Sequence, residues 1–152
     1  MILALLLGAT PVQFDTTRGI RIGYTHLANI DLRSSDAMVL GYEQMHKVDT
    51  GTALDFLIVA NLSVLGMNQG VVYPTGHVLL GYQLKDSFYL AAGPFVSVYQ
   101  LEPEPEAKLN MLIGAGWTIP MEGFSVPIEL GYVPDLDNQW RFMFNTGIDY
   151  AF

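Results

Sequence analysis

The sequence predicts an all-β membrane protein, an eight-stranded antiparallel up-and-down transmembrane β-barrel. Three observations predict it. Hydrophobic residues make up 51% of the chain and charged residues only 14%, where a soluble domain carries about a quarter charged. The apolar stretches are broken every few residues by Asn, Asp, Gly, Gln or Ser, so none approaches the roughly 18 consecutive apolar residues of a spanning helix. Apolar side chains instead recur at alternate positions along eight segments, the period of a strand with one face in an apolar medium. Abundant apolarity without a spanning helix is what a transmembrane barrel produces, because only every second residue meets lipid.

Taken along the chain, Ile20, Ile22 and Tyr24 oppose Arg21, Gly23 and Thr25. Met38, Leu40 and Tyr42 oppose Val39, Gly41 and Glu43. Leu54 to Val64 alternate with Asp55, Leu57, Val59, Asn61, Ser63 and Leu65. Val78, Leu80, Tyr82 and Leu84 oppose His77, Leu79, Gly81 and Gln83. In the second half, Phe88, Leu90, Ala92, Pro94, Val96 and Val98 face away from Tyr89, Ala91, Gly93, Phe95, Ser97 and Tyr99. Leu109 to Trp117 alternate with Lys108, Asn110, Leu112, Gly114, Gly116 and Thr118. Phe124 to Tyr132 alternate with Ser125, Pro127, Glu129, Gly131 and Val133. The last segment, Trp140 to Phe152, alternates strictly and exceeds the five or six residues of an ordinary soluble strand, matching a tilted membrane crossing.

The connections fit hairpins. Asp49-Thr50-Gly51, Lys85-Asp86 and Met121-Glu122-Gly123 read as tight turns at one end, with glycine where a positive φ is required. That end is expected to be periplasmic. The other end carries the longer segments 28–35, 66–71, 101–106 and 134–138. Gly-Tyr occurs at Gly23-Tyr24, Gly41-Tyr42, Gly81-Tyr82 and Gly131-Tyr132. Tyrosine suits a membrane interface because its ring is apolar and its hydroxyl wants water. Tyr24, Tyr42, Tyr82, Phe88, Trp117, Phe124 and Tyr132 are therefore expected to form aromatic girdles.

On the residues Trp140, Phe142, Phe144, Ile148, Tyr150 and the terminal Phe152, the chain resembles the small eight-stranded bacterial outer-membrane β-barrel proteins, such as the membrane domain of outer membrane protein A. The resemblance implies that this last strand is an assembly signal read by the barrel-assembly machinery. It also implies a setting in outer-membrane lipid and lipopolysaccharide, and an anchoring role without chemistry. Residues 1–15, with the apolar run Ile2 to Ala9, read as the remnant of a secretory signal or an apolar N-terminal lead, and residues 16–152 as the barrel.

The predicted inward set carries seven charges: Arg21, Glu43, Asp55, Lys108, Glu129, Arg141 and Asp149. In a lumen just wide enough for side chains they are expected to pair into one network that plugs the barrel. Other chemistry has little to stand on. There are no cysteines, and the net charge of −8 argues against a nucleic-acid partner. No cofactor is implied. Some small barrels modify lipid, which would need a histidine base beside a hydroxyl. Among His26, His46 and His77, only His77 faces Asn61 and Ser63 across a hairpin, so the chain is not expected to be an enzyme. Asp135, Asp137 and Asn138, with Glu102, Glu104 and Glu106, could offer oxygen ligands to calcium, but acidic loops are ordinarily solvated surface and no metal site is expected. The functional expectation is a non-catalytic envelope-structural barrel. The alternatives are a subunit of a larger envelope machine (secretion, motility or pilus), a lipid-modifying enzyme, and a soluble lipocalin-like binder with the faces reversed.

Overall fold

Alternation resolves into eight antiparallel strands, each hydrogen-bonded to its neighbour in sequence, with the last returning to the first. The computed structural model describes residues 14–27, 36–84, 88–100, 106–134 and 140–151. The strands are β1 Phe14–Leu27, β2 Asp36–Val48, β3 Leu54–Leu65, β4 Tyr73–Leu84, β5 Phe88–Gln100, β6 Glu106–Pro120, β7 Ser125–Val133 and β8 Arg141–Ala151. Following paired residues from Phe14 leads through Val48, Phe56, Tyr82, Leu90, Ala115, Leu130 and Phe144 to Tyr24, so the circuit returns to β1 ten residues beyond its start. That stagger over eight strands corresponds to a tilt of about 40–45° from the barrel axis.

β1 and β2 run longer than their apolar alternation suggests. Their turn-end halves carry Thr16, Arg18, Gln44 and His46 on the outward face, which ends the apolar pattern while backbone pairing continues to Phe14 and Val48. β8 begins at Arg141, one residue after Trp140. Phe152, the Lys85-Asp86 turn, the acidic segments 101–105 and 135–139 and the N-terminal lead up to residue 13 lie outside the described residues.

At the turn end, Gly51 and Gly123 take left-handed φ values of 70° and 84°, which a side chain would oppose. Asp49 Oδ1 accepts the Gly51 amide at 2.7 Å, and the Met121 amide donates to the Phe124 carbonyl at 2.9 Å. At the loop end, a single 3₁₀ turn, Met67–Gln69, joins β3 to β4. It is tied back to β2: the Met38 amide donates to Asn68 Oδ1 at 2.8 Å, and Gln69 Nε2 donates to the Asp36 carbonyl at 2.6 Å. Beneath it Ala37, Val39, Leu65 and Tyr73 form a small apolar cluster with Val71 against it.

The exterior is apolar and the interior holds the polar groups. Leu62 and Leu109 are each 71% exposed, and Ile20, Leu90, Leu130 and Phe142 are exposed beside them. Arg21, Glu43, Glu129, Arg141 and Asp149 are all buried inside. β5, whose two faces differ least in polarity, keeps the expected register: Tyr89, Ala91, Phe95 and Ser97 are buried, and Leu90 and Val96 exposed. The lumen is less uniformly polar than its charges suggest. Leu57, Val59, Leu79, Tyr89, Phe95 and Leu112, all from β3 to β6, pack with Met45, Val133 and Met143 into one buried apolar cluster.

Candidate functional site

Burial of a guanidinium is tolerable only where its donors are matched, and Arg21 meets that condition at the middle of the lumen. Its Nε donates to Glu129 Oε1 at 2.8 Å, its Nη1 to Asp149 Oδ1 at 2.5 Å, and its Nη2 to Glu43 Oε1 at 2.7 Å and Asp149 Oδ2 at 3.1 Å. The fork thus draws carboxylates from β2, β7 and β8 onto one cation of β1. Glu43 is held from its other oxygen by Asn61 Nδ2 at 3.1 Å, and the Ser63 hydroxyl donates to Asn61 Oδ1. His77 Nε2 lies 3.8 Å from Glu43 Oε2.

Four of the seven predicted lumen charges therefore come together, and three do not. Arg141 faces inward toward the loop end, donates from Nη1 to Ser97 Oγ at 3.1 Å and stands 5.1 Å over the Phe95 ring. Asp55 is half-buried at the turn end, paired along β4 with Gln83, and receives the Thr50 amide at 3.4 Å. Lys108 is half-buried near the loop end, opposite Ser97. The single network expected from sequence is corrected to a central cluster with separate outlying groups. Separation along the staggered strands keeps the ends from reaching the middle.

Outside, Tyr24, Tyr82, Phe88, Trp117, Phe124 and Tyr132 are exposed as expected. Tyr82, Phe88, Trp117 and Phe124 lie toward the turn end, and Tyr24 and Tyr132 toward the loop end. Tyr132, Phe142, Trp140 and His26 form a continuous run of ring contacts with centroid separations of 5.0–5.6 Å. Tyr42 differs: it is paired with Ile20 and Leu62, in the middle of the apolar band.

Two features were not signalled by the alternation. Tyr89 lies across Gly116, its cross-strand partner, with its ring where a β-carbon at 116 would stand. At the turn end the barrel opens into a mouth of about 390 Å³, lined by Asp15, Thr16, Thr17, Met45, Lys47, Gln83, Thr118, Ser125, Asp149 and Ala151. Lys47 Nζ is 3.9 Å from Asp15 there. His46 stands beside a hydroxyl and His77 beside a carboxylate. Ser63 bonds Asn61, and His46 is held by Thr16 Oγ1 and Gln44 Nε2, each at 2.9 Å.

No protein-family description matches the chain, and no curated protein does. Solved structures do. Ail, the attachment invasion locus protein of Yersinia pestis, superposes with a TM-score of 0.58 at 14% identity, covering 91% of this chain and 97% of Ail. Neisserial surface protein A superposes with a TM-score of 0.61 at 8% identity, covering 94% of this chain and all of the other. The chain has the fold of the small bacterial outer-membrane β-barrels. In barrels of that fold an apolar exterior is the lipid face, and the interior holds the polar side chains.

Proposed function

We propose that the protein is a non-catalytic, integral barrel of the bacterial outer membrane, with a lumen plugged by its own side chains and an envelope-structural role. The observation that carries this reading is the Arg21 cluster. One guanidinium ties four strands together across the lumen, beside a buried apolar cluster centred on β3 to β6. Side chains of an eight-stranded barrel are enough to fill its interior, and a filled interior supports anchoring rather than transport.

The surroundings follow from the exterior, whose exposed leucines, isoleucines and aromatics suit outer-membrane lipid and lipopolysaccharide. The alternating Trp140, Phe142, Phe144, Ile148 and Tyr150 support recognition of the last strand by the barrel-assembly machinery. A soluble lipocalin-like role is disfavoured because it would need these two faces exchanged.

Reconstitution into planar bilayers tests the plug: the expected trace shows no large, steady conductance, and such a conductance would refute a closed lumen. Heat-modifiable migration in SDS gels of the outer-membrane fraction tests the setting, and a buffer-soluble protein without it would refute that part.

A second reading, a barrel subunit of a larger envelope machine, is favoured by one observation. Thr16, Gln44 and His46 form a hydrogen-bonded polar strip at the turn end of β1 and β2, where the apolar exterior gives way to groups a partner could recognise. Photo-crosslinking from position 44 in intact envelopes should then capture one discrete protein band, and capture of lipid alone would remove this reading.

A further inference from the structure

The three carboxyl groups on Arg21 are not bound alike. Asp149 takes the Nη1–Nη2 edge of the guanidinium with both its oxygens, at 2.5 and 3.1 Å. That is the ordinary two-point pairing of one carboxylate with two parallel N–H bonds. The Nε–Nη2 edge offers a second such pair of N–H bonds, but no single carboxylate fills it. Glu129 Oε1 takes Nε at 2.8 Å, and Glu43 Oε1 takes Nη2 at 2.7 Å. Oxygens from two different side chains thus stand side by side where the two oxygens of one carboxylate belong. Glu43 and Glu129 lie within hydrogen-bond reach of each other.

Neither glutamate is placed to turn away. Both are buried, and the other oxygen of Glu43 accepts Asn61 Nδ2 from β3 at 3.1 Å. Two carboxylates pressed together out of water repel strongly unless a proton lies between them. The remaining neighbours do not replace that proton. Asp149 on β8 is a further carboxyl group, already matched to Arg21 through both oxygens. His77 on β4 is 3.8 Å from Glu43 Oε2, too far for a hydrogen bond. Tyr89 on β5 brings a buried phenol near the pair, and β6 brings Gly116 opposite Glu129. We propose that Glu43 and Glu129 share one proton at neutral pH, held between their carboxyl groups on the Nε–Nη2 edge of Arg21. The cluster is then a proton-binding site as well as a plug, and Asp149 connects it to the turn-end mouth. The proposal concerns the same side chains as the closed-lumen reading but stands on how they divide the guanidinium.

The test is infrared spectroscopy of the folded full chain in lipid vesicles, read at the C=O stretch of protonated carboxyl groups. It is made at about pH 7, where ordinary Asp and Glu side chains are ionised. One such band, shifted by exchange into heavy water, is expected. Glu43→Gln and Glu129→Gln should each abolish it, because the glutamine amide supplies the donor that the shared proton supplied. Either variant suffices if the other does not fold, and His77→Asn should keep the band. Its absence from the wild type, its survival in a folded glutamine variant or its loss in His77→Asn would overturn the proposal. Urea unfolding gives an independent reading, since the unfolded chain has released that proton by about pH 7. Relative to Glu129→Gln, the wild-type folding constant should fall about tenfold per pH unit above that, until the folded barrel also loses the proton. Parallel profiles would overturn the proposal. A large conductance would refute the plug and leave the band in place, whereas a missing band would leave a closed lumen in place.

Discussion

Arg21 and Glu129, 108 positions apart, meet inside the barrel at 2.8 Å. Their contact sits among two further carboxyl groups on the same guanidinium, so removing the cation leaves three buried carboxyl groups without their shared partner. Arg21→Met is expected to destabilise the folded barrel by about 3–5 kcal/mol, the cost of breaking a buried pair from one side. The double variant with Glu129→Gln should recover part of that loss. Urea unfolding in lipid vesicles measures both.

Tyr89 and Gly116 make a packing unit, and each should reveal the other. Gly116→Val forces a side chain into the Tyr89 ring and is expected to cost about 1–3 kcal/mol. Combined with Tyr89→Ala the penalty should shrink, giving a coupling energy in a double-mutant cycle. Strictly additive effects would contradict the contact.

The exterior reading has a direct test at Leu130, which is 59% exposed. In a bilayer, Leu130→Arg near mid-height should cost about 2–4 kcal/mol. In a water-facing surface the same change would be nearly neutral. Equilibrium unfolding in vesicles separates the two.

The 3₁₀ turn at the loop end predicts a local effect without a global one. Asn68→Ala removes the acceptor of the Met38 amide and should cost about 1 kcal/mol. Hydrogen exchange at Met38 should speed up while amides in the middle of β4 and β5 keep their protection.

Much of this was legible in the sequence because a strand has a period of two. One misplaced residue would have turned Phe95 and Leu90 inside out, and even the weakly polar β5 obeyed the rule. What alternation does not carry is height. It puts Asp55, Lys108 and Arg21 on the same face without saying that stagger sets the first two at opposite ends, half-buried, and the third at the centre. The same blindness placed Tyr42 in a girdle because it follows a glycine, when its partners Ile20 and Leu62 fix it at mid-band. Nor could pattern alone show that the apolar lumen residues cluster on β3 to β6, since contacts across the interior depend on closure. The mouth was equally invisible, being assembled from six strands.

The seam between β1 and β8 is the one pairing that joins the two ends of the chain. Arg21 stands on one side of it, Asp149 and Glu129 on the other. An open sheet would hold that guanidinium beside Glu43 alone, with two of its counter-ions on a distant margin. Only when the margins meet is the cation fully matched. The cluster thus makes completion of the cylinder an energetic event distinct from the pairing of any single hairpin, and an arrested assembly intermediate would carry its error as an exposed, mismatched charge rather than as a missing strand.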